Sequence, residues 1–81
     1  MARYFFDTFD GERFVRDDIG VEFESLESAK AEAQRFLPEM ASDALPDGNH
    51  RTFVVSVRNE AGYVLMRMSL SLVVEEGDVD H

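Results

Sequence analysis

Cysteine and tryptophan are absent from this 81-residue chain, lysine occurs once, and histidine and proline occur twice each. Without cysteine there is no disulfide framework, no thiolate-held zinc or iron–sulfur site and no thiol nucleophile. Two histidines leave almost nothing from which to build an imidazole metal site. Long apolar runs are missing too: no stretch approaches the roughly 18–20 residues of a membrane-spanning helix. No basic-then-apolar leader is visible, so a cytoplasmic protein is expected rather than a membrane or secreted one. Basic residues are scarce. Eight Lys and Arg face 17 Asp and Glu, for a net charge of −9. Such a charge repels nucleic-acid phosphates and anionic lipid surfaces, so neither is expected as a partner.

What is present suits a globular fold. Hydrophobic residues make up 44% of the chain, too many for a disordered segment. A chain this short buries only roughly 60–65% of its unfolded surface, so one modest core and one domain are expected.

The aromatic run over 3–9 (Arg-Tyr-Phe-Phe-Asp-Thr-Phe) reads as a first strand. Asp10-Gly11 predicts a type I′ hairpin turn, and 12–16 the short, charged returning strand. Asp17-Asp18-Ile19-Gly20 is a turn, and Val21-Glu22-Phe23 a brief extended lead into a helix. Ser25 is the expected N-cap, with Glu27 in the first turn where the helix dipole favours an anion. Leu26, Ala29, Ala33, Phe36, Leu37, Met40, Ala41, Ala44 and Leu45 recur at spacings of three and four, which predicts one apolar stripe. Pro38 falls inside that pattern and predicts a kink or a break. Pro46-Asp47-Gly48-Asn49 is expected to stop the helix.

Thr52–Arg58 alternates cleanly, with Phe53, Val55 and Val57 on one side. Asn59-Glu60-Ala61-Gly62 reads as a hairpin connection to a long last strand, Tyr63 to about Val74. Twelve strand residues would reach roughly 40 Å, so a bulge, a bend or an overhang is expected. The fold class is therefore α+β: a two-layer β-β-α-β-β sandwich, a four-stranded, mainly antiparallel sheet with one long helix on one face. Residues 1–74 form the single domain, and 75–81 an acidic, frayed tail.

Arg3-Tyr4-Phe5-Phe6 with Asp10-Gly11, then Asp17-Asp18-x-Gly20-Val21-Glu22, form a specific ordered set. So do Leu26-Glu-x-Ala29-x-Ala31-Glu32-Ala33, Leu45-Pro46-Asp47-Gly48 and Val57-Arg58-Asn59-Glu60-Ala61-Gly62. Together they resemble a family of small bacterial proteins of unknown function, common in alphaproteobacteria such as the rhizobia. The resemblance covers the chain from Arg3 to about Val74. It implies an intracellular bacterial protein and carries over no catalytic residue.

Asp7, Asp10, Glu12, Asp17, Asp18, Glu22 and Glu24 crowd the first third. Carboxylate oxygens suit a hard divalent cation, but the spacing fits no EF-hand, and ordinary acidic turns explain it as well. His50 follows Gly48-Asn49 and reads as a loop residue near the helix C-terminus. None of the serines sits in a Gly-x-Ser-x-Gly elbow, and neither turn-rich loop lies between a strand and a helix start, as a phosphate cradle would. No catalytic, cofactor or metal residue is therefore assigned, and no enzyme activity or cofactor is expected.

One helix covers one face of a four-stranded sheet. If Tyr4, Phe6, Val55, Val57, Val64, Met66, Met68 and Leu70 face it, then Phe5, Phe9, Val54, Leu65 and Val73 lie on the other face. There they sit among Arg3, Asp7, Ser56, Arg58, Arg67, Ser69 and Ser71. This mixture suits an interface, and Phe5, Phe9, Val54, Leu65, Arg67 and Val73 are its candidate residues. The expected function is association with a second copy or another protein, through the open face or the end of the last strand. The alternative is a domain binding a small ligand or divalent cation with its acidic first third.

Overall fold

The computed structural model describes residues 1–44 and 50–77. Five strands and one helix follow in the order β1 (Ala2–Phe9), β2 (Phe14–Val15), β3 (Val21–Phe23), α1 (Leu26–Ala44), β4 (His50–Arg58) and β5 (Val64–Val73). The architecture is the expected α+β sandwich, with an antiparallel sheet ordered β2-β1-β4-β5 and β3 also paired to β1. The sheet thus has five strands rather than four. The extended lead into the helix is itself a strand, with Ala2, Arg3 and Tyr4 of β1 opposite Phe23, Glu22 and Val21. Farther along the same edge, Thr8 and Phe9 pair with Val15 and Phe14. One edge of β1 is therefore shared by two very short strands with a gap between them.

The first hairpin departs from the type I′ expectation. Of its loop residues, only Gly11 has positive φ, at 97°. Four residues, Asp10 to Arg13, lie between the paired Phe9 and Phe14. Asp10 closes the loop with its side chain, whose Oδ1 accepts from the N–H groups of Glu12 (2.9 Å) and Arg13 (2.8 Å). An Asx-type turn of this kind fixes the loop without needing positive φ at Asp10. The second connection is built alike: Asn59 Oδ1 accepts from Ala61 and Tyr63 N–H.

Ser25 caps α1 as expected, its Oγ accepting from the Ser28 N–H at 3.2 Å. The helix runs unbroken through Pro38. Both Pro38 and Gln34 are exposed, so the carbonyl that Pro38 leaves without a helix partner belongs to the solvent side, where water can satisfy it. The Pro46–Asn49 stop signal lies outside the described residues. His50 opens β4, opposite Val73, rather than standing in a loop. β5 ends at Val73, flush with β4, so there is no overhang between the two. The extra length is instead taken up by an irregularity between Val57 and Arg58, which leaves Leu65 without a cross-strand partner. Of the expected tail, Glu75–Gly77 has no regular structure, and 78–81 lie outside the described residues.

The core forms where α1 lies on the centre of the sheet. Ala29, Ala33, Leu37 and Ala41 are buried on the helix, against Phe53, Val55 and Val57 of β4 and Tyr4 of β1. The buried helix positions recur every four residues, and three of the four are alanines, which let the helix axis come close to β4 while the sheet supplies most of the larger residues. Phe23 packs on Tyr4 and edge-on against Phe6, with ring centroids 6.3 and 5.9 Å apart. Phe36 was expected in this core but is 39% exposed. One residue is a turn of about 100° on a helix, so Phe36 stands off to the side of the stripe that Leu37 marks.

The strands β4 and β5 run on past β1, which meets β4 only over Val54–Arg58. Arg51 ties this projecting ribbon back to the first hairpin. Its Nε donates to the Asp10 carbonyl at 2.6 Å, its other nitrogens stand 3.8 Å from Asp10 and Glu12, and its guanidinium lies 5.5 Å from the Phe53 ring centroid. A side chain at position 11 would meet Arg51 at 3.0 Å, so glycine is required there by space as well as by φ.

Truncating Leu37 to Ala should cost about 2–5 kcal/mol, as for other buried leucines, a large share of the stability of so short a chain. Phe36→Ala should cost distinctly less although it removes more atoms. Urea denaturation of the two variants checks the order; a larger loss for Phe36→Ala would place the core on the wrong side of α1.

Candidate functional site

The cross-strand register fixes which residues share the face away from α1. Phe5 pairs with Arg58, Asp7 with Ser56 and Phe9 with Val54. Ser56 in turn pairs with Arg67, and His50 with Val73. Phe5, Phe9, Val54, Arg67 and Val73 thus all lie on the open face, as alternation requires. Leu65 sits at the irregular end of β5. The six candidate residues do not form one patch. Phe9 and Val54 are neighbours, Phe5 lies among charged groups, and Val73 is at the far end of the ribbon.

At the centre of that face the sheet is closed by a polar cluster that sequence reading did not assemble. Asp7, Ser56 and Arg58 are buried there. Arg58 grips Asp7 with two donors, Nε to Oδ2 at 2.8 Å and an Nη to Oδ1 at 3.2 Å. The same guanidinium donates to the Asp17 carbonyl at 2.8 Å and lies 4.8 Å from the Phe5 ring centroid. It therefore satisfies a buried carboxylate, docks a loop and covers an aromatic ring at once. Farther out, Arg67 Nε donates to Ser56 Oγ at 3.1 Å.

Asp17 fills the gap left between β2 and β3. The Phe6 N–H points away from β4 at a position where β1 has no strand partner. It donates instead to Asp17 Oδ2 at 3.0 Å. The other oxygen, Oδ1, accepts from the Ile19 and Gly20 N–H groups, each at 3.0 Å. The Asp17 N–H itself donates to Asp7 Oδ1 at 2.9 Å. One carboxylate thus replaces the missing rung of the ladder and folds the loop that carries it. The loop closes on Gly20, buried with φ of +75°. Any Cβ there would lie 2.9 Å from Arg3, from Phe5 and from the Tyr4 carbonyl, so only glycine fits.

The electrostatics follow from these bonds. The Arg58 hydrogen bond holds the Asp7 carboxyl below the usual carboxylate range; burial opposes this, and the Asp17 N–H reinforces it. Burial pushes Asp17 up, but the Phe6, Gly20 and Ile19 N–H groups and the Arg58 charge together leave it lowered as well. Among the described residues, no buried side-chain polar atom lacks a partner. Each buried side-chain polar atom of the cluster is thus held by at least one hydrogen bond.

Four of the other acids stand 3.6–3.8 Å from a guanidinium: Asp10 and Glu12 face Arg51, Glu22 faces Arg3 and Asp18 faces Arg16. Among the described residues, no group of three or more His, Asp or Glu could hold a metal ion. Two shallow clefts flank Phe36. One, of about 170 Å³, is lined by Phe6, Thr8, Val21, Glu32 and Phe36. The other, of about 390 Å³, is lined by Asp10, Phe36, Glu39, Met40, Asp43 and Ala44. No helix among the described residues is long and apolar enough to cross a membrane.

Alternation alone places Asp7 and Arg58 on one face, and a charge at the middle of a central strand calls for an opposite charge beside it. That signal could have found the pair. Nothing local marks Asp17 as the missing rung, because its partner Phe6 is fixed only when β2 and β3 both dock on β1.

Because both carboxyls are held low in the folded state, their contribution is full above the unfolded aspartate value, near pH 4. It is lost as pH falls through the lower folded values. The urea midpoint should therefore drop between about pH 5 and pH 3. Asp17→Asn should lower the midpoint at pH 7, since an amide keeps one acceptor and sets an NH₂ where the other was. It should also flatten the acid dependence. An unchanged pH profile in Asp17→Asn would show that Asp17 does not link protonation to folding.

Comparison with curated proteins gave no match, nor did comparison with solved structures. A family model does match, over residues 3–71, which takes in all or most of each described strand and the whole Asp7–Asp17–Arg58 cluster. The chain belongs to the family described as a domain of unknown function, DUF6894.

Proposed function

We propose that this is a non-enzymatic protein-association domain, bacterial and cytoplasmic, whose working surface is the free edge of β5 and whose first partner is a second copy of itself. The observation that supports this reading is the state of that edge. β5 is ten residues long, and no described element pairs with its outer side. Long edge strands usually carry lysines, proline or inward charges that deter another strand. β5 has Arg67 as its one charge and no lysine or proline.

Exposed apolar groups gather at the same place. Among the described residues, six of the twelve exposed large hydrophobic ones lie on 63–74: Tyr63, Val64, Leu65, Leu70, Val73 and Val74. The centre of the open face, by contrast, is occupied by the Asp7–Arg58 pair and by Arg58 over Phe5. That makes the open face a poorer docking surface than the β5 edge. The bacterial setting rests on the resemblance of the Arg3-Tyr4-Phe5-Phe6 set, and 17 acids against eight bases speak against a nucleic-acid partner.

Net charge opposes self-association, since each copy carries −9, and salt screens that repulsion. Light scattering after size exclusion, at tens of micromolar, should give twice the chain mass of 9.2 kDa. The dimer fraction should grow with ionic strength. Ser71→Lys, which adds a gatekeeping charge to the edge, should return the monomer, while Phe14→Lys on the open face should not. A mass of 9.2 kDa at both low and high salt overturns the proposal, and dissociation by Phe14→Lys alone moves the interface to the open face.

A further inference from the structure

We infer that two copies join by antiparallel pairing of β5 with β5 about a two-fold axis at Ser69, making one continuous sheet with both helices on the same side. This inference rests on the association proposed above and specifies its geometry.

The hydrogen-bonding parity of β5 follows from one bond on the opposite side of the sheet. The Phe6 N–H leaves β1 toward Asp17, away from β4. Phe6 is paired with Val57, so their main-chain groups point apart, and those of Val57 point toward β5. Val57 is paired with Met66, so Met66 directs its groups inward, to β4. Alternation then turns Met68, Leu70 and Leu72 inward, and Arg67, Ser69, Ser71 and Val73 outward. The free edge thus presents the N–H and C=O groups of those four residues, whose side chains lie on the open face.

A two-fold partner must pair its own outward residues with these. An axis at Arg67 would place two guanidinium groups directly opposite each other. An axis at Met68 would keep the two arginines within two residues of each other and set Leu65 against a serine. With the axis at Ser69, Arg67 lies opposite the second copy's Ser71, whose hydroxyl can accept from it. Leu65 lies opposite the second copy's Val73. On the helix side, Met66 meets the second copy's Leu72 and Met68 meets its Leu70. Every apolar residue of the edge then has an apolar neighbour, and the two positive charges are separated by about four residues along the strands, roughly 13 Å.

An axis perpendicular to the sheet keeps faces together, so α1 of both copies lies on one side and the Asp7–Arg58 clusters on the other. The symmetry is isologous and closed. The pair uses up both β5 edges and leaves outward only the short, interrupted β2 and β3, so growth stops at two.

The absence of native cysteine makes the register directly readable. Paired residues across antiparallel strands have Cα atoms about 4.5–5.5 Å apart, within the range a disulfide spans. Ser69→Cys should form a covalent dimer under mild oxidation with copper phenanthroline, read on a non-reducing gel. Arg67→Cys and Ser71→Cys should each fail alone and cross-link when mixed. Light scattering of each reduced variant accompanies the gel. A reduced dimer in which Met68→Cys cross-links and Ser69→Cys does not overturns this register and leaves the association intact. A reduced chain that is monomeric throughout overturns the association itself.

Discussion

The structure depends on one main-chain group, the Phe6 N–H. β1 is the strand through which β2 and β3 join the rest of the sheet, yet its outer edge is served by two pieces too short to meet. The N–H that falls between them faces the interior of the sheet edge, where an unpaired donor would cost about 1–3 kcal/mol. Supplying a carboxylate there has consequences. The carboxylate must itself be desolvated, so it takes two further N–H groups from its own turn. That turn forces positive φ at Gly20 and presses it onto Phe5. The Asp17 backbone then needs partners, which Asp7 and Arg58 supply. A gap of a few residues in a strand ladder thus leads to a buried ion pair on the open face.

Burying an ion pair is weak evidence for stability, because desolvation offsets most of the attraction. What the pair does provide is registry. Asp7 and Arg58, diagonal neighbours across β1 and β4, stay on one face only in this register, since a one-residue slip would carry one of them into the apolar core beside Val55 and Val57. The two donors of Arg58 to Asp7, together with its bond to the Asp17 carbonyl, fix the β2–β3 loop to the same alignment. The central register and the split edge are therefore specified by one side chain.

Much of this was legible in the sequence, and the failures have physical causes. Alternation in Thr52–Arg58 and in 63–74 located the last two strands and the face of each residue from Met66 to Val73, because a half-buried strand has a strict period of two; the expectation that Val64 faces the helix failed, because the irregularity puts it opposite Arg58. The cap at Ser25 was legible because its partner is three residues away. Phe36 was misplaced because a list of spacings of three and four admits a wider stripe than a helix packed on a sheet through alanines can bury. β3 was undervalued because three residues carry no period; only its pairing with β1 makes it a strand. The Asp7–Arg58 pair spans 51 positions, and a pairing of that range depends on the topology. Phe5, Phe9, Val54, Arg67 and Val73 do share the open face, whereas Leu65 falls at the irregularity of β5, and the polar cluster lies among them.

The two edges of the sheet are opposites in construction. On one side, two short strands, an Asx turn and flanking charges at Arg16, Asp18, Glu22 and Glu24 leave little for another chain to pair with. On the other, ten residues with a single charge are left open. One edge is thus broken up and charged so that another strand cannot pair with it, which marks the other as an exception that needs a reason. The small core supplies one: a chain of this size is stabilised only modestly by its own burial, and half of its exposed large apolar groups lie along or beside β5. Covering them by pairing adds to the same sheet that the core is built on, with β5 held on both sides instead of one. In the pair proposed above, folding and association would be linked by mass action, and the apparent stability of the domain would depend on its own concentration. The charge of −9 would act in the other direction, so that ionic strength would set the balance between the lone domain and the proposed pair.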